Sequence, residues 1–167
     1  MPCFPLISEP KNVWRLYVQV AGRSGRAEKQ GEVVLQTHYP DHPLLTTLLE
    51  KGYQAFAEET LKLRHNMGLP PFSFQALFKA QCRHSEEAEN ALSQLASFFY
   101  EQKIEGLQVL GPIPAPFSKK AGQYRWQLLL QHVSRKQLQA ALSRYSPELI
   151  KSSQVRLILD VDPLDLS

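Results

Sequence analysis

The chain has 167 residues, 43% hydrophobic and 21% charged, the balance of a globular protein of one or two small domains with a real core. Its net charge of +3, from 19 basic and 16 acidic residues, is too small to establish nucleic-acid binding, so the placement of the cations must decide that question. Cys3 and Cys82 stand alone, outside any Cys-x-x-Cys or His/Cys array, so neither a disulfide framework nor a zinc site is supported, and no apolar run is long enough to cross a bilayer. Residues 1–12 hold three prolines, have no periodicity and read as a disordered lead; Pro2, Pro5 and Glu9 stand where a signal peptide would need cations and an apolar core. A cytoplasmic location is therefore expected.

Trp14 to Val20 permits a helix that runs into Gln19-Val-Ala-Gly-Arg-Ser-Gly-Arg26. Arg23 and Arg26, three residues apart, present two permanently charged forks on one side of a turn, which suits phosphate oxygens. A basic helix end that complements the helix dipole is the plainer alternative. Glu32 to His38 is a β-branched, apolar-centred run that reads as a strand. Pro43, with Asp41 ahead of it, opens a short helix to Glu50; a second covers Tyr53 to His65, after Gly52. Gly68-Leu-Pro-Pro-Phe72 stops it.

Beyond Phe72 the periodicity alternates between that of strands and that of helices. Phe72, Phe74, Ala76, Phe78, Ala80 and Cys82 face one way and Ser73, Gln75, Lys79 and Gln81 the other, predicting a strand with one wet face. Ser85 opens a helix with Ala88, Ala91, Leu92, Leu95, Phe98 and Phe99 on its apolar stripe. Gly106 to Gly111 is a short strand, Gln123 to Val133 another, Ser134 caps a helix through Tyr145, and Val155 to Asp160 is the last strand. The order β-α-β-β-α-β predicts an α+β, ferredoxin-like sandwich with an antiparallel sheet and both helices on one face.

Ser118 to Trp126 then falls between two strands and reads as a hairpin loop, with Lys119, Lys120 and Arg125 as candidate DNA-backbone contacts. Tyr124 and Trp126 either stack on bases or, by alternation, join Leu128 and Leu130 in the core. Arg135 and Gln139, four apart on a helix, set a guanidinium beside an amide and can receive a carboxylate; a solvated helix face is the alternative. Asp160 and Asp162 read as strand-end residues that cap backbone amides, not as a catalytic pair.

The arginine octet resembles the last motif of superfamily-two helicases, in which a glutamine positions nucleotide and two arginines act as fingers on the γ-phosphate. Together with Gly31 to Pro43, Gly68-Leu-Pro-Pro-Phe-Ser73, Gly111-Pro-Ile-Pro-Ala-Pro116, Ala121-Gly-Gln-Tyr-Arg-Trp-Gln127 and Asp160-Val-Asp-Pro163, it is similar to the C-terminal part of the replication-restart helicases of the primosomal protein N′ family. The resemblance implies an ATP-driven, Mg2+-dependent helicase that binds branched or single-stranded DNA, the acidic tail of single-strand-binding protein and other primosome proteins, with an S10-like C-terminal domain. It makes Gln19, Arg23 and Arg26 the ATP-binding residues, the two arginines catalytic. Residues 13–40 would be a remnant of the second motor lobe, 41–68 linking helices and 69–167 the DNA-binding domain. No phosphate loop, acidic magnesium box or cysteine-rich zinc insertion is present in this sequence, so this chain alone is expected to bind no ATP, Mg2+ or zinc and to hydrolyse nothing. A free-standing ferredoxin-like module that binds RNA or a ribosomal partner, or a truncated frame without function, are the other readings.

Overall fold

The computed structural model describes residues 41–164. Gln19, Arg23, Arg26 and the expected strand Glu32 to His38 lie outside the described residues. Contacts divide the chain into a unit ending at Leu63 and a second beginning at Arg64.

Helix α1 (Pro43–Asn66), most of which belongs to the first unit, is broken at Gly52, whose φ of 81° and ψ of −179° leave helical space. The expected pair of helices is thus two arms about one glycine hinge, a conformation that glycine alone adopts without strain. Leu45, Leu48 and Phe56 are buried, and the Thr47 hydroxyl donates to Glu59 Oε2 at 2.8 Å, tying one arm to the other.

The second unit carries β1 (Phe74–Cys82), α2 (Ser85–Glu101), β2 (Gln108–Lys120), β3 (Gln123–His132), α3 (Arg135–Ser152) and β4 (Arg156–Val161). It is an α+β domain whose four strands form one antiparallel sheet in the order β2-β3-β1-β4. Alternation sends Ala76, Phe78 and Ala80 of β1 and Leu128 and Leu130 of β3 into the same core as Ala88, Leu92, Leu95 and Phe99 of α2 and Leu138 and Leu142 of α3. The leucines among them that are fully shielded from water each contribute about 2 kcal/mol. Phe98 and Phe99 meet edge to face at 5.7 Å, and Tyr145 closes on both.

Four expectations are corrected. The face of β1 turned away from the helices is not wet: Gln75 and Leu77 are 4% and 2% exposed, as are their β3 neighbours Gln131 and Leu129 at 6% and 3%. Burial of the glutamines is satisfied by their own bonds. Gln75 Nε2 donates to Gln131 Oε1 at 2.6 Å, and Gln131 Nε2 donates to Gln108 Oε1 at 3.2 Å and to the Gly68 carbonyl at 2.9 Å. Second, β2 is not a short strand but runs to Lys120, because register shifts after Leu110 and Pro114 absorb its three prolines and let it rejoin β3. Third, α3 passes Tyr145 and Pro147 to Ser152: Leu149 and Ile150 pack on the core and hold the last turns despite the missing proline N–H. Fourth, Asp160 and Asp162 form ion pairs, with Lys79 at 3.6 Å and Arg135 at 2.7 Å, because β4 lies against β1 and ends beside the start of α3.

Candidate nucleic-acid interface

Residues 118–126 are not a loop. Lys119 pairs with Tyr124 and Lys120 with Gln123, so both lysines belong to β2 and Arg125 to β3, and only Ala121-Gly122 turns. Both turn residues have positive φ, 51° and 76°, the requirement of a two-residue turn whose twist matches the strands it joins. The sequence pattern missed this because Pro112, Pro114 and Pro116 hide the alternation of β2.

The register separates the three expected DNA contacts. Residues directly opposite each other in an antiparallel pair share a face. Lys119 therefore goes with Tyr124, on the helix side: its ammonium lies 4.8 Å from the Tyr124 ring centre and 3.4 Å from the hydroxyl. Trp126, on that side too, packs against the core and donates from Nε1 to the Ser85 hydroxyl at 3.0 Å, which commits it to structure. Lys120 and Arg125 belong to the other face.

On that face Arg125 of β3 stands opposite Gln81 of β1, and Gln81 stands opposite Arg156 of β4. The glutamine bonds at the far end of the same face confirm the alignment: Gln131, Gln75 and Gln108 occupy matching rows and touch. The face is thus graded, with amides at one end, Leu77 and Leu129 between, and cations at the other. Five cations, Lys79, Lys119, Lys120, Arg125 and Arg156, lie on the four strands against one acid, Asp160, which is held by Lys79. Arg156 was missed in the sequence: its alternation with Ile158 and Asp160 is visible there, but the pairing of β4 with β1 is not.

Arg135 and Gln139 are both exposed on α3, whose start is fixed by Ser134: its hydroxyl accepts from Gln137 N–H at 3.4 Å. Arg135 is already engaged by Asp162 and lies 5.7 Å from the centre of the Phe74 ring. Just ahead of α3, His132 Nδ1 accepts from Ser134 N–H at 2.7 Å and Nε2 lies 2.8 Å from the Glu105 carbonyl, so the ring carries its proton on Nε2. Among the described residues no three His, Cys, Asp or Glu groups converge as a metal site, and no helix is long and apolar enough to cross a membrane.

These features define a small antiparallel α+β domain with a cationic sheet end. The family model for the primosomal protein N C-terminal domain matches residues 65–164, and the chain belongs to that family. It is 77% identical over 154 residues to the replication restart protein PriA of Haemophilus influenzae, covering 92% of this chain and 21% of that protein. The PriA proteins of Synechocystis and Bacillus subtilis are 32% and 28% identical, over 89% and 95% of this chain. The chain spans about a fifth of the length of these relatives.

Proposed function

We propose that this chain is the C-terminal DNA- and partner-binding region of a replication-restart helicase. The observation that carries the reading is the cationic end of the sheet, five basic strand residues against one acid, in a chain of the primosomal family. Phosphates are met by such a surface without reference to sequence, as recognition of an abandoned fork requires. The strand order β2-β3-β1-β4, with β-α-β-β-α-β connectivity, supports a ferredoxin-like, S10-like sandwich. Lys119, Lys120 and Arg125 are the proposed DNA contacts, Lys119 from the side of the hairpin that Tyr124 occupies.

Gln19, Arg23 and Arg26 are proposed to complete an ATP site only beside a nucleotide-holding lobe, so the 167-residue chain hydrolyses no ATP. Arg135 and Gln139 are proposed to take the carboxylate of the single-strand-binding protein tail, in exchange for Asp162. A cytoplasmic location and contacts with other primosome proteins belong to the same reading.

A competition assay between forked DNA and structured RNA of equal length tests it. Forked DNA should displace a labelled fork from the chain at lower concentration than RNA does. Stronger displacement by RNA would replace the reading with an RNA-binding module.

A further inference from the structure

Resting on the DNA-binding reading above, we propose that the row Arg125, Gln81 and Arg156, flanked by Lys120, is a track for the phosphates of duplex DNA, with Arg156 a contact residue on the edge strand. Three observations converge on it. The register sets Arg125 and Arg156 on either side of Gln81, across three neighbouring strands on one face. With strands spaced about 4.8 Å apart, the two arginine Cα atoms stand roughly 10 Å from each other. Two guanidinium forks with an amide donor between them reach phosphates along one backbone, which crosses the strands from the hairpin toward the β4 edge.

Charge supports the same line. Arg156 and Lys120 are exposed and Arg125 half-buried, and among the described residues none of the three is ion-paired. Asp160, the one acid on the strands, is four residues further along β4 and bound to Lys79. The strand residues at this end of the sheet therefore carry a net positive charge.

The aromatic residues decide the kind of DNA. Single-stranded DNA is held by bases stacked on aromatic rings. The strand residues that the register sets on this face are amides, aliphatics and charged groups; Phe74, Phe78, Tyr124 and Trp126 alternate to the helix side, and the exposed Phe117 of β2 falls in the unpaired stretch between Pro114 and Lys119, outside the row. A cationic row that itself carries no aromatic ring suits the rigid phosphate path of a duplex arm, read without base preference.

The test is fluorescence anisotropy of the 167-residue chain with a labelled duplex and with a single strand of equal length, across a salt series. Duplex should bind more tightly than the single strand. Arg156→Gln should weaken duplex binding severalfold and lower the slope of log K against log salt by about 0.9, the loss of one phosphate contact. Arg156→Lys should keep the slope, and Lys136→Gln, which removes an exposed cation of α3, should change neither. Wild-type slope and affinity in Arg156→Gln, with binding lost in Lys120→Glu, would overturn the row and leave the DNA-binding reading standing. Tighter binding of the single strand would overturn the duplex assignment. No binding to either DNA would overturn the row together with that reading.

Discussion

Arg135 Nη2 donates to Asp162 Oδ2 at 2.7 Å, which joins the first turn of α3 to the residue that follows β4. Asp162 is itself fixed: its N–H donates to the Gln75 carbonyl at 2.8 Å and its φ is 52°. On the proposed reading, the carboxylate occupies the place that the carboxylate of an incoming acidic peptide would take. With the two side chains 59% and 40% exposed, the pair contributes at most about 1 kcal/mol. Asp162→Asn should therefore leave the melting temperature within a few degrees of wild type and raise affinity for an acidic C-terminal tail peptide by about twofold to fivefold. Titration calorimetry with the peptide measures this, and unchanged affinity would show that Asp162 does not compete.

The glutamine cluster is predicted to be worth far more than the ion pair. Gln131→Ala removes the partner of Gln75, Gln108 and the Gly68 carbonyl at once, in a place where Gln75 and Gln131 are out of water. Each buried group left unpaired costs about 1–3 kcal/mol, so a loss of about 3 kcal/mol in urea unfolding is expected. Gln131→Glu should be worse than Ala, since it adds a charge beside Gln75 and Gln108. A midpoint unchanged in Gln131→Ala would mean that solvent reaches this face.

Apart from β2, whose prolines hide its alternation past Gly111, the strands and helices of the second unit are legible in the sequence because each follows its own period. Ala88, Leu92, Leu95 and Phe99 repeat at helical spacing, and Phe74 to Cys82 alternates. What the pattern concealed depends on pairing. Gln75 reads as a solvent residue until Gln131 is placed beside it, and Arg156 reads as an ordinary strand start until β4 is laid against β1. Lys119, Lys120 and Arg125 lie within seven residues of sequence, yet the pleat splits them between two faces. A hydrophobic pattern gives the side of a strand that is dry; it does not give the neighbour.

Gly111 illustrates a local demand of the same kind. Its φ is +112°, and a Cβ there would stand 2.9 Å from the Gln127 carbonyl oxygen, which is backbone and unable to move aside. The glycine lets β2 shift register against β3 between Leu110 and Ile113. Gly111→Ala should cost about 2 kcal/mol or more, through strain and the clash together, and accelerate amide exchange along β2 before the rest of the sheet. Exchange at wild-type rates with an unaltered unfolding midpoint would refute it.

The turn at Ala121-Gly122 offers the opposite sign. Ala121 is held at φ 51°, where its Cβ crowds the following carbonyl, while Gly122 at φ 76° bears no such cost. Asparagine tolerates left-handed backbone much better, and Asn-Gly is the favoured pair for a two-residue hairpin in which both φ values are positive. Ala121→Asn should stabilise the domain by about 0.5–1 kcal/mol, and Ala121→Val should destabilise it by at least as much, because a branched side chain is poorest at positive φ. Neither substitution alters a cation, so both variants should keep the wild-type salt dependence of DNA binding. A change in that slope would mean that the turn itself meets the phosphates and that Lys120 and Arg125 do not act from their strands alone.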